Sequence, residues 1–323
     1  MVKNIIIVGC GNIGSRHIQA LANLPFETNI TVVDPSIESQ KIAQIRLKEI
    51  DYDYENHEFQ WHMSINELEQ KNYDLAIVAT TAVNRLPILE KLLELGNSKL
   101  LIEKMVCQSV KEYEKLLDML KKFKAEGWVN TNLRYFPSWQ KIKEQINSSK
   151  SVHFSVVAPN ISALGTNAIH YLDLFSWLIN NYEVNLHGEF LINELFPNKR
   201  GSDLVEFAGT LIGTSSRNSF VSLTFLPDVK IPITINIING DKHLLINETN
   251  QKITDLVNTD IHEFKYEHVS STTKDIVVDI ITKNNCQLTT IRNSFYLHKE
   301  IINTFNSHIE KVTNRKIECC PIT

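Results

Sequence analysis

The chain has 323 residues, 43% of them hydrophobic and 22% charged, enough for about two domains with cores of their own and unlike a disordered, collagen-like or coiled-coil protein. Lys and Arg number 33 against 37 Asp and Glu, a net charge of −4 with no long block of one sign, so the electrostatic footprint of a nucleic-acid binder is missing. Apolar runs are short or interrupted by Asp173, Ser176 or glycines, so no membrane span and no signal segment are expected, and a cytoplasmic location follows as the expectation. The five cysteines are never spaced C-x-x-C, which fits reduced thiols and predicts neither a disulfide framework nor a metal site.

From residue 2 to about 129, short β-branched runs alternate with amphipathic stretches, the pattern of βαβ units around a parallel sheet. Strands are expected over 4–8, 29–33, 74–79 and 99–102, helices over 13–24, 38–49, 82–95 and 110–124, and a closing strand over 128–131. Gly96 suits a helix C-terminus and Ser109 a helix cap. Beyond 132 the texture changes to a helix over 137–146, a strand over 152–158, a glycine-containing loop and a helix over about 167–178. Strands then dominate at 189–193, 204–212, 219–225, 231–238 and 243–246, separated by turn signals such as Asn239-Gly240-Asp241. A helix over 296–312 carries Ile301, Ile302, Phe305 and Ile309 on one face. The expected division is a nucleotide-type domain over 1–131 and a second domain over 132–323. Alternate residues of 221–225 and 231–238 place apolar side chains on both faces of the second sheet, so its open face is expected to build a homodimer or homotetramer.

The chemistry-bearing motifs fall in order along this frame. Gly9-Cys10-Gly11-Asn12-Ile13-Gly14 is G-x-G-x-x-G between the first strand and first helix, where the glycines permit a tight turn, close approach of a pyrophosphate and helix–strand packing. Asp34 ends the second strand, 34 − 14 = 20 residues beyond the last glycine, where a carboxylate accepts ribose hydroxyls and repels a 2′-phosphate, so NAD is expected over NADP. Before Pro35, Asp34 also reads as a turn former. Glu103-Lys104 follows the strand expected over 99–102, at the carboxyl edge of the sheet; a protonated Lys there could polarise a substrate oxygen, though a surface ion pair has the same spacing. Asn132 opens the second half, and His170 and Asp173 lie three apart on one helix, an arrangement in which an oriented imidazole can exchange a proton with an alcohol.

Taken together, the glycine motif, Asp34, Ala79-Thr80-Thr81, Glu103-Lys104, Asn132-x-Arg134-x-x-Pro137 and His170-x-x-Asp173 before Trp177-Leu178 resemble the Gfo/Idh/MocA (glucose-fructose oxidoreductase/inositol dehydrogenase) family. The motifs cover roughly the first 180 residues. The resemblance implies an α/β protein: an N-terminal Rossmann doubly wound parallel sheet, then an α+β domain with a large, mostly antiparallel open sheet. It also implies NAD(P)-dependent oxidation or reduction at a secondary hydroxyl carbon of a sugar, polyol or sugar derivative. Lys104 then matches the catalytic lysine and His170 the proton-transfer histidine. Asp173, Tyr171, Asn132, Thr166, Asn167 and Asn160 would meet substrate; Gly9, Cys10, Gly11, Asn12, Ile13, Gly14, Asp34, Thr80, Thr81, Glu103 and Lys104 would line the cofactor. Three departures stand out. Met105 replaces a proline after Glu103-Lys104; Thr81-Ala82 and Arg85 replace Pro-Asn and His; and Thr166 stands where many relatives have Asp. The last leaves open a cofactor-binding sensor or regulatory protein without turnover; within the enzyme class the alternative is a reductase of a non-sugar carbonyl.

Overall fold

The computed structural model describes residues 1–53, 55–69, 72–159, 163–267 and 269–323, with backbone only at 269 and 270. The chain forms two compact units, of which the first is discontinuous: Met1–Cys107, Lys111–Tyr135 and Glu267–Ile291, against Gln108–Val110, Phe136–Tyr266 and Arg292–Thr323.

In the first unit six strands, β1 (Lys3–Val8), β2 (Thr28–Val33), β3 (His57–His62), β4 (Leu75–Val78), β5 (Lys99–Ile102) and β6 (Glu126–Val129), form a sheet of order β3-β2-β1-β4-β5-β6. Every pairing in it is parallel. That order reverses direction beside β1, which is the dinucleotide-binding arrangement and puts the ligand crevice at the carboxyl ends of β1 and β4. The central strands are buried on both faces, as their unbroken Ile, Val and Leu runs require. Helices α1 (Gly14–Leu21), α2 (Ile37–Lys48), α3 (Arg85–Glu94) and α4 (Val110–Lys122) connect the strands. Two elements add to the expected set. β3 pairs with β2 along its whole length. Helix α7 (Val269–Lys283) packs on α1 and brings Ile276, Val277 and Ile280 into the core with Ile18 and Leu21.

The second unit begins with α5 (Pro137–Gln145), whose Pro137 occupies the first helical turn, where its missing N–H costs nothing. Strand β7 (His153–Pro159), helix α6 (Leu164–Ile179) and strand β8 (Val184–Leu191) follow. A two-stranded ribbon pairs β9 (Phe196–Pro197) with β10 (Val205–Glu206). Strands β11 (Gly209–Ser215), β12 (Phe220–Leu226), β13 (Thr234–Asn239), β14 (Lys242–Asn247), β15 (Lys252–Asp255) and β16 (Ile261–Glu263) complete a sheet of order β16-β15-β14-β13-β7-β12-β11-β8. It is antiparallel except between β7 and β12. Phe154, Val156, Val221, Leu223 and Phe225 lie on its buried face, and α6 packs there against β12. The expectation of apolar side chains on both faces holds only in part: opposite them stand Ser222 and Thr224 on β12 and Thr234 and Asn236 on β13, with Phe220 and Ile238 exposed on these strands and Phe190 of β8 and Ile261 of β16 exposed in register with them. Helix α8 (Ile291–Thr313) adds a stacked Phe207–Phe305 pair, centroids 4.0 Å apart. No helix of the described residues is long and apolar enough to cross a membrane.

Candidate functional site

The glycine motif forms the turn between β1 and α1. Gly9 has φ +94°, and a Cβ there would stand 2.9 Å from the backbone of Ala79 and Thr80. At Gly14 a Cβ would lie 2.0 Å from the Gly9 carbonyl oxygen, so both positions admit no side chain without moving backbone. Gly11 differs: a Cβ there would meet nothing within 4 Å. The protein itself does not require that glycine, and the open space over it is what a pyrophosphate lying on the backbone needs. Asp34 lies at the adjoining edge of β2, buried, with one carboxylate oxygen accepting from the Cys10 N–H at 2.8 Å and the other from the Ser36 N–H at 2.8 Å. Each oxygen keeps a second lone pair for a ribose hydroxyl. Burial and the charge of Asp34 push the Cys10 thiol up to about 12, so it packs as a small neutral group.

Asn12 and Ile13 complete the turn, and Asn12 is braced by Arg46 of α2, a residue that no motif pointed to. Its guanidinium donates to the Asn12 carbonyl and side-chain oxygens, each at 3.3 Å, and to Ser15 Oγ at 2.6 Å. Thr80 is half-buried and Thr81 exposed after β4.

Glu103 and Lys104 follow β5. Neither is a surface ion-pair residue: Lys104 is buried and the Glu103 side chain is 12% exposed. Glu103 Oε1 accepts from His17 Nε2 at 3.0 Å and from Asn130 Nδ2 at 2.5 Å. An ionised carboxylate can only accept, so Nε2 carries the imidazole proton, while Nδ1 lies 2.8 Å from Thr273 Oγ1 of α7. Burial pushes the Glu103 carboxyl up, but the His17 bond and charge, the Asn130 amide and the Lys104 ammonium outweigh it and hold it at about 2. A fixed anion therefore sits next in sequence to Lys104. The Lys104–Met105 peptide, where the resemblance expects proline, is cis. Asn132, expected at substrate, is buried and donates its amide to Thr272 Oγ1 of α7 at 2.9 Å.

In the second unit, α6 carries the other candidates. It begins at Leu164, three residues before the expected start, so Thr166, His170 and Asp173 (i, i+4, i+7) share a face. Asp173 and Tyr171 are buried, Asn167 and His170 half-buried. Asn160 lies outside the described residues. Two carboxylates that sequence spacing could not have found join this helix. Glu206 of β10, buried, accepts from the Thr166 hydroxyl and, at 3.2 Å, from the Thr166 N–H. Asn198 also donates to it, at 2.8 Å. Glu248, in the turn after β14, accepts from the Tyr171 hydroxyl at 3.4 Å; burial raises its carboxyl to about 7 although the Tyr171 bond opposes the rise. Among the described residues no group of His, Cys, Asp and Glu is placed to hold a metal.

Residues 3–131 match the family model of Gfo/Idh/MocA, described as an oxidoreductase family with an NAD-binding Rossmann fold. No curated protein matched by sequence. Solved structures share the fold over nearly the whole chain. An oxidoreductase from Agrobacterium radiobacter, in complex with NAD+, L-tartaric acid and magnesium, is 12% identical with a TM-score of 0.73, over 98% of each chain. UDP-N-acetylglucosamine 3-dehydrogenase GnnA from Acidithiobacillus ferrooxidans is 13% identical with a TM-score of 0.73, over 98% of this chain and 100% of that one. The WlbA dehydrogenase from Bordetella pertussis, in complex with NADH and UDP-GlcNAcA, is 17% identical with a TM-score of 0.68, over 94% and 96%. The family match, the strand order and the glycine turn agree: residues 3–131 are an NAD-binding Rossmann domain of the kind the Gfo/Idh/MocA oxidoreductase family model describes.

Proposed function

We propose that the protein is an NAD-dependent oxidoreductase that moves a hydride to or from a secondary hydroxyl carbon of a sugar derivative, with nucleotide-linked sugars as the first class to try. The observation that carries this reading is the Glu103-Lys104 segment: a buried lysine at the carboxyl end of β5, next to a carboxylate locked as an anion by His17 and Asn130, within a family domain that binds NAD. The bound nicotinamide supplies the hydride acceptor or donor. The Lys104 ammonium donates a hydrogen bond to the reacting oxygen, lowering the cost of charge that develops there. His170 exchanges the hydroxyl proton, and Asp173, one turn further along α6, orients the imidazole. Tyr171, Thr166 and Asn167 belong to the substrate side of this scheme, and Asp34 favours NAD over NADP. The relatives of like fold include proteins named for UDP-N-acetylglucosamine and complexed with UDP-GlcNAcA, which supports the choice of substrate class.

The alternative of a sensor without turnover leaned on the missing Asp at 166. The Thr166 hydroxyl and N–H both bind the buried Glu206 carboxylate, so an anion stands at that turn of α6 and the argument for lost chemistry weakens. The deciding experiment incubates the purified protein with NAD and a panel of free, phosphorylated, acidic and nucleotide-linked sugars while nicotinamide absorbance is followed. Turnover confined to sugars supports the proposal; NAD binding without turnover on any of them favours the sensor. We also expect a homo-oligomer built on the outer face of the second-unit sheet, which a monomeric mass by light scattering at micromolar concentration would refute.

A further inference from the structure

Arg85 stands where the resemblance expects histidine, and neither cofactor binding nor proton exchange uses it. It opens α3, where charged side chains normally reach solvent, yet it is 1% exposed. Its guanidinium reaches five acceptors. Nε donates to Thr80 Oγ1 at 3.3 Å and Nη2 to the Thr80 carbonyl. Nη1 donates to the carbonyls of Glu103 and Met105 and, at 3.4 Å, of Val106. Burial lowers its pKa to about 10, with the Glu103 charge opposing, so it stays a cation at neutral pH.

Carbonyl oxygens that converge on one point repel each other unless a cation with matching donors sits among them. Guanidinium is suited to this: its donors lie in one rigid plane, so the acceptors they hold are fixed relative to one another. Two of those acceptors, the carbonyls of residues 103 and 105, flank Lys104, while the Thr80 carbonyl and hydroxyl belong to the loop after β4. A neutral imidazole has one donor and could hold only one of these carbonyls. We propose that Arg85 is the positioning residue for Lys104: it pins the backbone on both sides of the lysine and ties that segment to the loop after β4 at Thr80. The inference rests on the reading that Lys104 polarises the reacting oxygen, and a displacement of about 1 Å at such a group is enough to cost on the order of 10²-fold in rate.

The test uses Arg85→Met, which keeps length and removes the donors, and Arg85→Lys, which keeps the charge and loses the planar fork. Acylation of the Lys104 amine, followed by mass spectrometry of its peptide in the cofactor-free protein, reads the loop without any substrate. Labelling should rise about tenfold in both variants, and kcat on whichever sugar turns over should fall about 10²-fold while NAD affinity changes less. Variants that fold, label Lys104 at the wild-type rate and keep wild-type kcat would overturn the proposal. Failure of both to fold would also overturn it, since Arg85 would then be a strut of the whole unit. Lys104→Ala separates the two layers: wild-type turnover in that variant sinks the role of Lys104, whereas the labelling result still decides the role of Arg85.

Discussion

Glu103→Gln is the change that most directly tests the electrostatics of the first unit. In the native protein the carboxylate is nearly buried and receives two donors, His17 Nε2 and Asn130 Nδ2. Its pKa falls from the ordinary 4.5 to about 2 because those donors and Lys104 outweigh desolvation. At about 1.4 kcal/mol per tenfold in proton affinity, this makes the ionised group worth roughly 3 kcal/mol of folding stability. The sign follows from linkage: between pH 2 and 4.5 the unfolded chain binds more protons than the native one, so this contribution is fully present above about 4.5 and is lost as pH falls towards 2. The amide in Glu103→Gln cannot take that charge, so its oxygen meets the same two donors only as a weaker, neutral acceptor. Urea unfolding at a series of pH values should therefore show the variant less stable by about 3 kcal/mol at pH 6 and by only about 1 kcal/mol at pH 3. A gap below about 0.5 kcal/mol at pH 6, or one that does not narrow in acid, would refute the picture of a locked anion beside Lys104.

The glycine turn allows a paired test: Gly14→Ala forces a Cβ to 2.0 Å from a carbonyl and should lower thermal stability by several degrees, whereas Gly11→Ala should melt like wild type and lose at least tenfold in NAD affinity by calorimetry. Asp34→Asn should narrow the preference for NAD over NADP by about tenfold or more in the same titrations, since it removes the charge that opposes a 2′-phosphate; an unchanged ratio would show that Asp34 plays no part in it. Glu248→Gln should stabilise the second unit at pH 8, by up to about 3 kcal/mol, with the gain vanishing near pH 4: a carboxyl raised to about 7 binds its proton more tightly in the folded state, so stability falls as pH rises from 4.5 through 7. Denaturant melts at the two pH values check this.

The first unit was legible where local chemistry decides structure. Short, unbroken Ile, Val and Leu runs that alternate with amphipathic stretches read as central parallel strands, and glycines at 9 and 14 answer to contacts a Cβ cannot share. β3 was missed because His-Glu-Phe-Gln-Trp-His mixes polar and apolar residues on an edge strand and looks like loop. Helix α7 was missed for a different reason. Its Ile-Val-Val-Asp-Ile-Ile stretch is β-branched and carries strand propensity, but packing on α1 holds it as a helix, and tertiary contact outweighs propensities that differ by less than ~1 kcal/mol per residue.

The site divides along the same line. Residue types at fixed spacing pointed to Asp34, Lys104 and the His170-x-x-Asp173 helix face, whereas what surrounds them comes from far along the chain: His17 lies 86 residues from Glu103, and Glu206 lies 40 from Thr166. Thr166 shows most clearly why a motif reports less than a fold. Read as a position, it is a carboxylate replaced by a hydroxyl, and chemistry looks lost. Read in space, the hydroxyl is the donor that holds a carboxylate contributed by another strand, with Asn198 as its second donor. What a site requires is charge at a place, and a folded chain can supply it from any element that reaches there. A missing motif residue is therefore evidence of lost function only after the neighbours of its replacement have been examined.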